Sequence, residues 1–126
     1  MSILDKRKWI CFFSQSGNEI VNLSEDVERF PDLIVTNQRP KGKRQITDRL
    51  LTSNAIVYLS NRPSIEEYRE VLEYYKNPLI TLHGWLRIVP DQICKNYEVY
   101  NGHPGLPELG LLGSDPQKQA FKQKVE

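Results

Sequence analysis

Short apolar runs punctuate this chain at nearly regular intervals, with polar turns and amphipathic stretches between them. Trp9 to Phe13 is apolar throughout, and such an unbroken run predicts a strand covered on both faces. Ser14-Gln15-Ser16-Gly17-Asn18 then breaks the chain. A helix is expected from about Asn18, carrying Ile20, Val21, Leu23 and Val27 before Pro31. Asp32 to Thr36 repeats the strand pattern through Leu33, Ile34 and Val35, and ends in the polar group Asn37-Gln38-Arg39-Pro40.

Lys41-Gly42-Lys43-Arg44 reads as an exposed loop leading to a short helix, Thr47 to Ser53, with Leu50 and Leu51 apolar. A third strand follows at Ala55 to Leu59. The next helix has the clearest start: Ser64 is placed as N-cap and Glu67, three residues on, completes a capping box. Ile65, Tyr68, Val71, Leu72 and Tyr75 follow at helical spacing. Asn77-Pro78 stops it. Leu79 to Leu82 makes a fourth strand with His83-Gly84-Trp85 as its outlet, Pro90 opens a short helix through Cys94, and Glu98 to Tyr100 is the fifth strand. From Asp115 onward a polar helix is expected, with Pro116 in its first turn.

Strands alternating with helices predict βαβ units: a Rossmann-like, doubly wound α/β domain whose mainly parallel sheet carries helices on both faces. Ligands of such sheets bind beyond the carboxyl ends of the strands, near the switch in strand order. Ser14 to Gly17, Asn37 to Arg39, His83 to Arg87 and Asn101 to His103 all fall at those ends.

At 126 residues, 39% hydrophobic and 26% charged, the chain suits one domain spanning residues 1–126, with no apolar run long enough for a bilayer. Met1 to Lys8 lacks the apolar core and cleavage site of a secretory signal, so a cytoplasmic location is expected. The formal charge of +1 gives no general electrostatic case for nucleic acid. Arg39, Lys41, Lys43 and Arg44 form the one dense basic cluster, without aromatic neighbours to stack bases. Cys11 and Cys94 lack metal-site spacing and read as buried free thiols.

Three segments offer chemistry. Ser14-Gln15-Ser16-Gly17-Asn18, between strand and helix, is either an anion cradle or an ordinary turn, and its single glycine excludes the dinucleotide fingerprint. In Leu82-His83-Gly84-Trp85-Leu86-Arg87, Gly84 permits close backbone approach to a flat ligand, Trp85 covers that ligand or fills the core, and Arg87 suits a two-pronged grip on a carboxylate. His83 reads as a local hydrogen-bonding group. Asn101-Gly102-His103-Pro104 sets an amide and an imidazole two residues apart at a strand exit, on the same side of an extended chain. That pairing suits oxyanion stabilisation and proton transfer.

Together these segments resemble the N-terminal catalytic domain of the folate-dependent formyltransferases, the group acting on glycinamide ribonucleotide, methionyl-tRNA and sugar amines. The likeness spans nearly the whole chain. Its most specific parts are Leu82 to Pro90, similar to the family's folate-side loop, and Asn101-Gly102-His103-Pro104-Gly105-Leu106-Pro107, similar to its Asn-x-His-Pro segment. The resemblance implies 10-formyltetrahydrofolate as formyl donor, held against Leu86, Arg87 and Val89. It implies an amine as acceptor, phosphorylated or nucleotide-linked, held by Ser14, Ser16, Gly17 and Asn18. Asn101 and His103 would be catalytic, and no metal is implied. Gly102 and Gly105 replace bulkier residues of the family motif.

The resemblance further implies a catalytic aspartate on a later segment. Asp115, in Ser114-Asp115-Pro116, reads instead as a helix cap, so a domain lacking the C-terminal part of the family's is expected. Three functions are open: formyl transfer, an inactive short relative that binds a folate or nucleotide-like ligand, and an interaction protein pairing through its sheet edge, including with a second copy.

Overall fold

The computed structural model describes residues 7–38, 46–51 and 56–101. Five strands, β1 (Trp9–Phe13), β2 (Leu33–Thr36), β3 (Ile56–Tyr58), β4 (Leu79–His83) and β5 (Glu98–Asn101), form one sheet in the order β3-β2-β1-β4-β5. Every pairing is parallel. Four helices alternate with them: α1 (Asn18–Val27), α2 (Asp48–Leu51), α3 (Ile65–Leu72) and α4 (Asp91–Asn96). This is the doubly wound α/β arrangement that the sequence predicts.

Alternation along the buried strands divides the core in two. Trp9, Cys11, Phe13, Ile34 and Leu79 pack beneath α1 and α2 with Ile20, Leu23 and Leu50. Ile10, Phe12, Val35, Ile80, Leu82 and Val99 pack beneath α3 and α4 with Tyr68, Leu72 and Ile93. On the second face Phe12 stacks against Tyr68 at 5.8 Å between ring centroids and takes the edge of Trp85 at 5.2 Å.

Local chemistry sets the ends of the elements. α1 starts at Gly17, whose φ of 86° is left-handed and suits glycine, and a Cβ there would collide with Leu50 Cδ1. α3 has the full capping box: Glu67 N–H donates to Ser64 Oγ and Ser64 N–H donates to Glu67 Oε2. Three backbone and hydroxyl donors from Ser60 and Ser64 hold the Glu67 carboxyl below its usual range. Arg7 ties the amino ends of the central strands together, donating to the carbonyls of Asn77 and Pro78 and pairing with Glu98 at 3.1 Å.

Several boundaries differ from expectation, among them the start of α2 at Asp48 and the ends of β3 at Tyr58, α4 at Asn96 and β5 at Asn101. β2 starts at Leu33, because the Asp32 side chain is already engaged, accepting from Trp9 N–H at 2.8 Å and from Arg29 at 2.7 Å. α3 ends at Leu72 rather than reaching Tyr75; the chain turns there, and Asn77 takes φ 55° ahead of Pro78. β4 runs one residue further, so His83 is the last strand residue and not part of an outlet loop. Cys11 is fully buried as expected, whereas Cys94 is only partly so. No helix among the described residues is long and apolar enough to cross a membrane.

Candidate functional site

The strand order reverses at β1 and β4: β1 leads to a helix on one face, β4 to a helix on the other, and their exit loops part at the carboxyl edge. Two of the three sequence-predicted segments meet at this point. Ser14 N–H donates to the Gly84 carbonyl at 3.3 Å, and Leu86 N–H donates to Ser14 Oγ at 3.0 Å. Ser14 is therefore buried and occupied in joining the loops. Gly84 has φ 63°, and its open side is filled by the Gln15 side chain, which would lie 3.2 Å from an added Cβ. The close approach expected of a flat ligand is made here by Gln15.

Ser16 Oγ accepts from Asn18 N–H at 3.2 Å, turning the chain into α1, and the Ser16 carbonyl accepts from Thr47 N–H at 2.8 Å. Gly17 is buried, while Asn18 and Glu19 face solvent. On the β4 side Leu86 is 61% exposed and Ile88 77% exposed, an unusual display for large apolar side chains. Arg87 lies between them, with Nε donating to the Asn61 carbonyl at 2.9 Å. Asn37 donates to the same carbonyl at 3.0 Å, so the exits of β2, β3 and β4 are linked through Asn61. The terminal nitrogens of Arg87 have no partner among the described residues. Val89 differs from Leu86 and Arg87: its side chain is buried in the core, so only its backbone can meet a ligand. Trp85 fills rather than covers, with its indole N–H donating to the Tyr68 hydroxyl at 3.2 Å.

Asn101 is the final residue of β5, in register with Leu82 of β4. Alternation with Val99 puts it on the α3 and α4 side of the sheet, one strand away from the junction of β1 and β4. His103, Gly102, the segment from Pro104 to Pro107, Asp115, and the basic residues Arg39, Lys41, Lys43 and Arg44 lie outside the described residues.

Beneath the edge lies a polar line that sequence reading missed. His83 Nε2 is 2.8 Å from Thr81 Oγ1, which also accepts from the Trp9 indole at 2.8 Å and lies 3.4 Å from Cys11 Sγ. Glu19 Oε1 is 4.0 Å from His83 Nδ1. Burial pushes the imidazole down to about 4, so it is neutral at physiological pH and the approach of Glu19 is not an ion pair there. Burial likewise pushes the Cys11 thiol far up, leaving it inert. His83 is thus the local hydrogen-bonding group expected of it. Its partners could not be read locally, because Trp9 and Thr81 are 72 residues apart.

Comparison of the chain with family models, with curated proteins and with solved structures found no match.

Proposed function

We propose that this domain carries out formyl transfer from 10-formyltetrahydrofolate to an amine. The observation that carries the reading is the place of Asn101: the Asn-x-His-Pro sequence begins where β5 ends, on the carboxyl edge beside β4, whose exit loop displays Leu86, Arg87 and Ile88. Attack of an amine on the formyl carbon builds a tetrahedral oxyanion. His103, neutral at the outset, takes up the proton that the amine loses and, as the imidazolium, joins the Asn101 amide in donating to that charge. Collapse of the oxyanion breaks the bond to the folate nitrogen, to which His103 returns the proton as tetrahydrofolate leaves. No covalent intermediate with the protein is required.

The remaining roles follow from exposure and charge. Leu86 offers an apolar surface to the donor's ring system, and the unpartnered terminal nitrogens of Arg87 suit a carboxylate of the donor. Val89 supports this loop from the core. Ser14 and Ser16 shape the acceptor side through their loop bonds, and Gly17 and Asn18 open α1 there. The exposed Glu19 carboxylate in the same turn favours an approaching cationic amine over a phosphate.

A turnover assay with 10-formyltetrahydrofolate and a panel of amines tests the proposal. Asn101→Ala and His103→Ala are each expected to lower turnover by roughly a hundredfold or more. Unchanged turnover in both variants overturns the mechanism. Calorimetric binding of the reduced folate without turnover by any amine identifies instead the inactive, ligand-binding relative, the reading favoured by Asp115 standing in a helix-start sequence.

A further inference from the structure

The far edge of the sheet carries a second surface with its own chemistry, distant from the β5 side. β3 is apolar, yet Ile56 and Val57 are only half-buried and Tyr58 is 37% exposed, whereas Val99 and Tyr100 on the opposite edge strand are buried. Leu59 N–H donates to the Thr36 carbonyl on β2. Alternation therefore turns the N–H and C=O groups of Ile56 and Tyr58 away from β2, toward the edge. No other described strand pairs there.

Between this strand and α3 lies a groove of about 380 Å³. Leu33, Val57 and Val71 give it an apolar floor, and Tyr74, 84% exposed, stands at its rim with Glu70 and Glu73. No basic side chain lines it among the described residues. Glu66 and Glu70 on α3 and Glu73 at its C-cap follow one another at helical spacing, so their carboxylates form one stripe. None of the three has a partner among the described residues. Arg69, the cation of this helix, reaches the other way, to Gln92 on α4 at 2.6 Å.

We propose that this edge and groove dock an extended basic peptide segment. It adds as a strand beside β3, places an apolar side chain in the groove and sets Lys or Arg against Glu70 and Glu73. The charge pattern selects this occupant over a second copy of the chain. Two copies joined through β3 about a twofold axis perpendicular to the sheet would bring both acidic stripes to the same side of the seam, where like charges repel. The inference is independent of formyl transfer and stands or falls without it.

Titration of the isotopically labelled full chain with an acetylated, amidated heptapeptide Thr-Lys-Thr-Val-Thr-Lys-Thr, whose Lys, Val and Lys side chains share one face of an extended strand, tests it by amide resonances. The Ile56 and Tyr58 amides, which turn outward, should shift, while the inward Val57 amide moves little. Glu70→Lys combined with Glu73→Lys, both on exposed positions, should weaken binding about tenfold and admit the matching Glu-containing peptide. Circular dichroism of that variant verifies its fold. No shift along β3, equal binding of the acidic peptide by the unaltered chain, or insensitivity to charge reversal overturns the proposal. So does a concentration-dependent dimer in sedimentation that Tyr58→Pro abolishes, which would assign the edge to self-association.

Discussion

Beneath α1 and α2 the sheet buries a connected line of polar atoms, Trp9, Thr81 and His83 with the Cys11 sulfur alongside, whereas beneath α3 and α4 its strands, Asn101 at the end of β5 aside, present apolar side chains and a ring cluster. The same strands make both faces. Burial is equally complete on each, but its tolerance differs: an apolar face is sensitive to volume, and a polar line is sensitive to the loss of a partner. The polar line also lies directly under the start of α1, so the acceptor loop of the proposed site rests on hydrogen bonds while the donor loop rests on packed rings.

The largest expected effect is on the ring-packed face. Phe12→Ala removes the ring that touches both Tyr68 and Trp85 and should cost about 3–5 kcal/mol in denaturant unfolding. A loss below about 1 kcal/mol would mean that the face collapses around the gap. Next comes acidification, which acts on the other face. The unfolded imidazole of His83, near 6.5, binds a proton that the folded one refuses until about 4. Its contribution is therefore intact above pH 6.5 and declines as pH falls toward 4, by about 3 kcal/mol in all. His83→Gln should flatten that part of the stability profile, and an unchanged profile would refute the assignment.

Thr81→Val keeps the shape and removes the hydroxyl, leaving the Trp9 indole N–H without its acceptor; about 2 kcal/mol of stability should be lost. Thr81→Ser keeps the hydroxyl and loses a methyl, for roughly 1 kcal/mol or less. If thermal unfolding reverses that order, the polar line contributes through volume alone and the contrast between the faces disappears.

Sequence patterning located all five strands because parallel strands buried on both sides are mostly apolar, as Trp9–Phe13 is throughout and Leu79–Leu82 is but for Thr81. It located α3 because Ser64 and Glu67 carry their own start signal. Strand order was not legible: the register of Ile10 with both Leu33 and Ile80 is a long-range outcome that neither segment encodes alone. The polar character of His83 made it resemble a loop residue, while Thr81 and Trp9 in fact supply what lets it end a buried strand. The loops of the candidate site were legible from their positions at strand exits. Their mutual bonds, such as Leu86 N–H to Ser14 Oγ, join residues 72 apart and were not.

The central place of β1 has a kinetic consequence. Its N-terminal residues meet Asp32 only 23 positions along the chain, but Thr81 lies 72 positions from Trp9, and closing so long a loop is slow. During synthesis β1 and β2 can pair early, while the other side of β1 stays an open, wholly apolar template until β4 has emerged. Of the five described strands, the one made earliest and buried deepest in the sheet is thus the one whose second edge waits longest for its partner, an interval that exposes it to wrong pairing.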